Sequence, residues 1–107
     1  MVNQGDIIFV DFDPQSGHEQ KGRRPALVVS NNTFNRFSSM YMVCPITRTD
    51  KKHIFHILLD DRTKTTGVIL CDQARILDVK ARNYEFVERI PHDILDKAKN
   101  LLISFIE

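Results

Sequence analysis

Short runs of β-branched and aromatic residues, separated by polar turns, recur through residues 1–90 and constrain the fold more than any other feature. The runs lie at residues 6–12, 25–30, 40–47, 53–59, 67–71 and 84–90, and the fifth can continue through residues 73–77. Runs of this length and composition between turn signals predict β-strands. Residues 25–30 are continuously apolar after Pro25, which predicts a central strand covered on both faces.

The spacing of apolar residues changes to a helical period after Pro91, a residue suited to the first turn of a helix. The apolar positions of this predicted helix are Ile94, Leu95, Ala98, Leu101, Leu102 and Phe105. Asn31 can cap a further short helical turn over residues 31–37. Short strands, no long crossover helix and one amphipathic C-terminal helix predict a mainly β (α+β) fold, a small antiparallel barrel with short helices.

The length of the chain fits a single globular domain over residues 1–107. With 107 residues and 12.4 kDa it can bury one core but not two independent ones. Residues 1–6 show no basic stretch followed by an apolar one, and no apolar run reaches membrane-spanning length, so we expect a cytoplasmic protein. Cys44 and Cys71 lie in apolar runs, which indicates buried thiols rather than a disulfide or a zinc site.

Two features of the sequence bear on binding partners: the apolar residues of the strands and the local clusters of basic residues. Apolar residues on both faces of the strands exceed what one helix can cover, so we expect a homodimer that buries the remainder. The formal net charge is only +1, so nucleic-acid binding would depend on local basic clusters. These clusters are Lys21, Arg23 and Arg24 in one loop and Arg48, Lys51, Lys52 and His53 in another.

A polar loop at residues 17–25 is the first candidate for a functional site, because polar loops on rigid sheets often hold one. A solvated hairpin connection is the alternative interpretation. Asp72 and Thr47 each follow an apolar strand-like run; they belong either to a site or to ordinary strand ends, where short polar side chains satisfy backbone amides. His53 and His56 are three residues apart in a predicted strand, so we expect them on opposite faces and unable to share a metal ion.

Cleavage of RNA gives a chemical reason for these residue types to occur together. A base must take the proton of a ribose 2′-hydroxyl, an acid must protonate the departing 5′ oxygen, and a cation must stabilise the charge that develops on phosphorus. His, Asp, Glu and Arg side chains meet these needs without a metal ion, since the nucleophile belongs to the substrate.

At these residues the sequence resembles the MazF/PemK/Kid family of toxin endoribonucleases over nearly its whole length. The motifs that carry the resemblance are Gly5-Asp6-Ile7, Asp13-Pro14, Gly17-His18-Glu19-Gln20 with Gly22, Arg24-Pro25, Phe34-Asn35-Arg36, Pro45-Ile46-Thr47, Thr66-Gly67-Val68 and Asp72-Gln73 with Arg75 and Asp78. The Kid/PemK branch is nearest, on the basis of His18, Cys71-Asp72-Gln73 and Lys80-Ala81-Arg82.

The resemblance implies a homodimeric SH3-like barrel that cuts single-stranded RNA at short sequence motifs, independently of the ribosome and without a metal or other cofactor. The expected products carry a 2′,3′-cyclic or 3′ phosphate and a 5′-hydroxyl, and the expected consequence is the arrest of translation and growth. It also implies a cognate MazE-like antitoxin whose disordered acidic tail blocks the RNA groove. The two basic clusters suit both partners.

The resemblance also implies roles for individual residues. Arg24 matches an Arg that binds phosphate and stabilises the transition state, and Thr47 matches the Thr paired with it. The implied acid and base candidates are His18, Asp72 and Glu19. The implied RNA-binding residues are Gln20, Lys21, Arg23, Arg48, His53, Phe55, Gln73 and Arg75, with Phe55 offering a stacking face.

One departure from the family pattern changes the expected mechanism. The Kid branch carries a catalytic Arg two residues before the Asp, and this chain has Leu70 there. The guanidinium must then come from Arg24, acting with Thr47.

Two other functions are compatible with a small barrel, because fold alone does not decide function. A gyrase-poisoning toxin of the same fold would rely on a Trp near its C-terminus, and this chain contains no Trp. A non-catalytic RNA- or protein-binding barrel would leave Arg24, Thr47, His18 and Asp72 as contact residues only.

Overall fold

The computed structural model describes residues 2–12, 22–50 and 52–107. Its strands are β1 (Asp6–Asp11), β2 (Arg23–Val28), β3 (Tyr41–Thr47), β4 (His56–Leu58), β5 (Val68–Leu70), β6 (Arg75–Leu77) and β7 (Glu85–Arg89). Its α-helices are α1 (Asn32–Ser38) and α2 (His92–Ser104). Single 3-10 turns at Cys71–Gln73 and Val79–Ala81 lie on either side of β6.

The strands form one antiparallel sheet in the order β4-β5-β3-β2-β1-β7, and β6 pairs with β3. β2 lies between β1 and β3, which confirms the prediction of a central strand there. The mainly β fold class is confirmed, with an open sheet in place of a closed barrel: in the described part of the chain, the end strands β4 and β7 do not pair with each other.

Alternation along the strands places apolar side chains on both faces of the sheet. On one face Ile7 and Leu27 pack with Ile94 and Ala98 of α2. On the other face their neighbours Ile8 and Ala26, together with Val10, Val43 and Phe12, form a second buried cluster. The sheet is therefore covered on both sides at its centre, as the continuously apolar run of β2 predicts.

Both predicted helices are confirmed, and local side-chain chemistry explains where they begin. The Asn31 side chain accepts a hydrogen bond from the Phe34 amide at 2.8 Å, which caps α1. Pro91 immediately precedes α2, and Ile94, Leu95 and Ala98 form its buried stripe. No helix in the described part of the chain is long and apolar enough to cross a membrane.

The strand predicted at residues 53–59 is shorter than expected, because its first residues form a turn. His53 Nδ1 accepts a hydrogen bond from the Phe55 amide at 3.2 Å, and the His53 carbonyl accepts one from the His56 amide at 3.1 Å. These contacts compete with strand pairing. β4 consequently begins at His56.

Candidate active site

A groove of about 570 Å³ opens between the C-terminal end of β3, the N-terminal end of β2 and residues 64–66. Its lining includes the basic residues Arg23, Arg24, Arg48 and Lys64. Among the described residues, no acidic side chain lines it. The groove therefore presents a positive surface suited to a polyanion.

Arg24 and Thr47 lie at neighbouring strand ends beside this groove. The sequence places each of them two residues beyond Ala26 and Pro45, the last pair that joins β2 to β3. Arg24 and Thr47, which the family resemblance singles out, thus line one groove.

The backbone of Thr47 is fixed from its other side by β5. Val68 pairs with Thr47, and Gly67 lies against the Thr47 carbonyl, where it has a φ of +119°. The Thr47 hydroxyl accepts a hydrogen bond from the Thr49 amide at 3.3 Å, which fixes the turn that leads to Arg48. This network holds the hydroxyl at the groove without burying it.

Glu88 on β7 holds the wall of the groove at residues 64–66. Its carboxylate accepts hydrogen bonds from the Lys64 amide (3.0 Å), the Thr65 amide (2.8 Å) and Thr65 Oγ1 (2.7 Å). Desolvation by burial opposes ionisation of Glu88, but these hydrogen bonds outweigh it and lower the pKa of the carboxyl below its ordinary value. The ionised carboxylate is therefore a structural support of the groove.

Two of the predicted RNA-binding arginines contact other parts of the protein. Arg23 forms ion pairs with Glu85 at 3.2 Å and Asp11 at 3.6 Å, and its guanidinium lies over the Phe9 ring. Arg75 lies over the Phe12 ring and donates to the Phe12 carbonyl at 3.5 Å. Arg23 still lines the groove. Arg75 instead contacts Phe12, at the end of the described residues 2–12.

Asp72 lies in a second polar cluster, outside the groove. It belongs to the 3-10 turn that follows β5, and it is not among the residues that line the groove. His56 Nε2 lies 3.1 Å from Asp72 Oδ1, with the His56 side chain 9% exposed and that of Asp72 35% exposed. The structure thus brings Asp72 together with a histidine, and not with Thr47.

The prediction that His53 and His56 lie on opposite faces is wrong. Their ring centroids are 4.8 Å apart, and one potential ligand atom from each of His53, His56 and Asp72 lies within 4.8 Å of the others. Strand alternation does not apply because His53 belongs to the turn before β4. The three side chains form what we call the His-Asp cluster.

Two more of the predicted RNA-binding residues, Phe55 and Gln73, lie beside the His-Asp cluster. The Phe55 ring lies 5.1 Å from the His53 ring and meets the Phe105 ring edge-on at 5.0 Å. Gln73 follows Asp72 in the same 3-10 turn and is partly buried. His18, Glu19, Gln20 and Lys21 lie outside the described residues.

Two residues at these sites were missed by reasoning from the sequence. Lys64 lines the groove from the loop that precedes β5. His56 contacts Asp72 because β4 and β5 pair with His56 opposite Leu70. The position of His56, a polar residue within an apolar strand, was a signal that it could belong to a site. Its partner Asp72 could not be identified, because that contact depends on the register of β4 and β5.

Cys44 and Cys71 are both buried and free, as expected from their apolar surroundings. A hydrogen bond with Cys71, together with burial, raises the pKa of the Cys44 thiol. This thiol stays protonated at neutral pH and has the character of a packing residue.

Comparison with known proteins gives a consistent result over the whole chain. A sequence profile described as PemK-like, MazF-like toxin of type II toxin-antitoxin system matches residues 3–106. The endoribonuclease PemK of Escherichia coli is 37% identical over 98% of this chain and 82% of its own length. The crystal structure of MazF from Deinococcus radiodurans superposes with a TM-score of 0.91 at 35% identity, over 98% of this chain and 96% of that one. A MazE-MazF structure from the same organism superposes with a TM-score of 0.85 at 35% identity, over 98% and 95% of the two chains.

Proposed function

The chain belongs to the PemK-like, MazF-like family of toxins of type II toxin-antitoxin systems, and from this premise we propose that it cleaves single-stranded RNA at short sequence motifs, independently of the ribosome. As a member of this family it is an endoribonuclease toxin. Cleavage of messenger RNA in the cytoplasm would stop translation and growth. The observation that carries the proposal is the placement of Arg24 and Thr47 on one positively charged groove.

The proposed reaction is an attack of the ribose 2′-hydroxyl on the adjacent phosphorus. A base removes the 2′ proton, the new O2′–P bond forms, the P–O5′ bond breaks, and an acid protonates the departing O5′. The products are a 2′,3′-cyclic phosphate and a 5′-hydroxyl, and addition of water to the cyclic ester gives a 3′ phosphate. No metal ion takes part in these steps.

Arg24 is proposed to bind the phosphate oxygens and stabilise the charge that develops in the transition state. A guanidinium suits this role because its fork of N–H donors matches phosphate oxygens bidentately. Thr47 would donate its hydroxyl to the same phosphate. Since Leu70 stands where the Kid branch carries its Arg, Arg24 is the arginine assigned to this role.

Proton transfer is assigned to His18, Glu19 and Asp72 as candidates. Asp72 belongs to the His-Asp cluster, where the imidazole of His56 holds its carboxylate at 3.1 Å. We therefore add His56 as a positioning residue for Asp72. An extended RNA strand that runs from the groove toward Phe55 and Gln73 would reach both places.

RNA binding outside the reacting phosphate is assigned to the remaining predicted residues. Arg48 and Lys64 would contact phosphates from the groove wall, and Phe55 and His53 would stack on bases beside the His-Asp cluster. The other residues assigned to this role are Gln20, Lys21, Arg23, Gln73 and Arg75. The loop between β3 and β4 would set the sequence motif, since it carries Arg48 and His53.

A largely apolar patch outside the groove supports the proposal of a homodimer. Its apolar residues include Phe34, Met42, Ile76, Leu102, Ile103 and Ile106. The exposed fractions of Ile76, Ile103 and Ile106 are 47%, 50% and 88%. A soluble monomer rarely leaves such a contiguous apolar surface in water, and a second copy of this chain would cover it.

A cognate MazE-like antitoxin is the second proposed protein partner. MazE-MazF complexes of the similar Deinococcus radiodurans protein support this assignment. A disordered acidic tail would find complementary charge on Arg23, Arg24, Arg48 and Lys64 of the groove. It would exclude RNA by occupying the same surface.

The decisive experiment is incubation of the purified protein with a long RNA in the presence of a chelator, followed by mapping of the cut sites and chemical analysis of the ends. We expect cuts at one short motif, with cyclic or 3′ phosphates and 5′-hydroxyls. Arg24→Ala should cut the RNA at least about 100-fold more slowly, whereas Arg36→Ala, which alters an exposed arginine on α1, should cut normally. Intact RNA with the unaltered protein would reject the enzyme, and cutting that requires a metal ion would reject the mechanism.

A further inference from the structure

The His-Asp cluster has the donor set of a transition-metal site. It combines two imidazoles and one carboxylate whose potential ligand atoms all lie within 4.8 Å of one another. We propose that His53, His56 and Asp72 bind one divalent ion of the Zn²⁺ class, and that this ion inhibits RNA cleavage. Binding of the ion stands on the geometry alone, whereas the inhibition rests on the proposed function.

The spacing of His56 and Asp72 suits two ligands of one ion. Zinc bonds to imidazole nitrogen and carboxylate oxygen are about 2.0–2.2 Å long, so two ligands at a tetrahedral angle lie roughly 3.3–3.5 Å apart. His56 Nε2 and Asp72 Oδ1 are 3.1 Å apart. An ion can therefore replace the proton between them with only a few tenths of an ångström of movement.

The burial of His56 determines which of its nitrogens can be the ligand. Its Nδ1 is buried and has no hydrogen-bond partner among the described residues, so an ion can approach only Nε2. When Nε2 donates to Asp72, a neutral ring leaves Nδ1 as an unpaired acceptor; when Nε2 binds an ion, Nδ1 becomes an unpaired donor. His56 Nδ1 is therefore unpaired both with and without the ion. Because Nδ1–H has no acceptor in the metal-bound state, the affinity for the ion is lower than at a site whose histidine ligands are supported by hydrogen bonds.

His53 supplies the third ligand from the solvent side, because it is exposed and its ring lies 4.8 Å from that of His56. A rotation of this exposed side chain closes the remaining gap. His53 Nδ1 at present accepts a hydrogen bond from the Phe55 amide at 3.2 Å. Binding through either ring nitrogen breaks this bond, since the metal-bound ring is protonated on its other nitrogen. The ion would thereby remove one of the two hydrogen bonds that form the turn at Phe55.

The donor set selects the class of ion. Imidazole and carboxylate ligands suit Zn²⁺ and the neighbouring first-row ions, whereas Mg²⁺ and Ca²⁺ prefer oxygen ligands alone. Three protein ligands leave a fourth position for water. His92 and Asp96 offer a contrast within the same chain: they lie 3.4 Å apart on the surface of α2, but they are not part of a three-ligand group in the described residues.

Inhibition follows because the ion would bind the carboxylate of Asp72 and the ring of His53, which forms the turn at Phe55. A carboxylate bound to a cation can no longer accept a proton, so Asp72 would be lost to proton transfer. Loss of the hydrogen bond from the Phe55 amide to His53 would loosen the turn and weaken the contact of Phe55 with a base. Cleavage should then fall at ion concentrations that saturate the cluster.

Metal binding is tested with the full chain, stripped with a chelator and dialysed, using Co²⁺ as a spectroscopic probe and Zn²⁺ in calorimetric titration. We expect one ion per chain, with visible absorption typical of nitrogen and oxygen ligands in a site of low coordination number. His53→Gln and Asp72→Asn should each weaken binding by at least about tenfold, and His92→Gln should bind like the unaltered protein. His53→Gln changes an exposed side chain outside the core, and thermal melting checks that the variant is folded. No binding at all, or equal binding by His53→Gln and His92→Gln, would overturn the site.

Inhibition is tested by RNA cleavage in chelator and in buffered Zn²⁺, with each variant compared with its own rate in chelator. We expect Zn²⁺ to lower the rate of the unaltered protein and of His92→Gln, but not that of His53→Gln. Absence of cleavage in chelator would reject the proposed function. The Co²⁺ spectrum would then still test whether the His-Asp cluster binds a metal ion. Cobalt binding at the cluster with an unchanged rate in Zn²⁺ would overturn the inhibitory role.

Discussion

Gly67 lies so close to Thr47 that a Cβ atom on the glycine would be 2.1 Å from the Thr47 carbonyl oxygen and 2.8 Å from its carbonyl carbon. Gly67 also adopts a φ of +119°, which side chains rarely allow. The approach sets the start of β5 against the end of β3. The position of the Thr47 hydroxyl on the groove therefore depends on the absence of a side chain at residue 67.

Gly67→Ala should destabilise the protein by about 3 kcal/mol or more, because the clash is with backbone atoms and the φ is unfavourable. RNA cleavage should fall even at temperatures where the variant is folded, because Thr47 must move. Denaturant titration and cleavage assays measure the two effects.

Gly22→Ala is the matched control for stability. Gly22 also has a positive φ, +79°, but a Cβ there would meet no atom of the described residues within 4 Å. Its cost should be about 1 kcal/mol, from the backbone conformation alone. Equal destabilisation by the two alanines would contradict the close packing of Gly67 on Thr47.

Arg24→Ala should lower the rate of RNA cleavage by about 100- to 1000-fold, the usual effect of removing one group that stabilises a transition-state charge. Arg24→Lys should recover little of the rate, because an ammonium cannot form the bidentate contact. Arg48→Ala, from the same groove, should raise KM with little effect on kcat. A variant lacking Arg24 that keeps near-normal kcat would show that the charge is supplied elsewhere.

The order of strands and helices could be predicted from the sequence because its signals are local. Alternating apolar residues, the Asn31 cap and the proline before α2 act within a few residues of themselves. The turn at residues 53–55 could not, since a histidine side chain, and not a Gly or Pro, forms it. Its effect was to bring His53 and His56 together, against the expectation from strand alternation.

The candidate site was predictable only in part, because the pairing of strands that are distant in sequence brings its residues together. The family resemblance pointed to Arg24 and Thr47, and both line one groove at the ends of the paired strands β2 and β3. The contact of His56 with Asp72 follows from the pairing of His56 with Leu70 across β4 and β5. No pattern within either strand specifies that partner.

Glu88→Gln should destabilise the protein by about 1 to 2 kcal/mol at pH 7, because an amide accepts weaker hydrogen bonds than the carboxylate. The folded state lowers the pKa of Glu88, so the ionised group stabilises the fold. This contribution is fully present above the ordinary glutamate value of 4.5 and is lost as pH falls through the lower folded value. Denaturant titrations at several pH values should show the difference between the two proteins vanishing in acid.

Thr65→Val provides the second measurement, since it removes the Oγ1 donor and leaves the Lys64 and Thr65 amides in place. Its cost should be smaller than that of Glu88→Gln and should also decrease in acid. A difference between Glu88→Gln and the unaltered protein that is the same at pH 3 and pH 7 would contradict the role of the ionised carboxylate.

Ile103→Asp should convert the protein to a monomer of 12.4 kDa, because it places a charge on the apolar patch. Ile103 is 50% exposed, so the substitution leaves the core of the single chain intact. Phe86→Asp, on β7 and similarly exposed at 56%, should leave the dimer unchanged because Phe86 lies outside the patch. Sedimentation at micromolar protein measures the mass. If the unaltered protein is already monomeric there, or if only Phe86→Asp dissociates it, the patch does not join two copies, and the apolar surface of α2 must be covered by another partner.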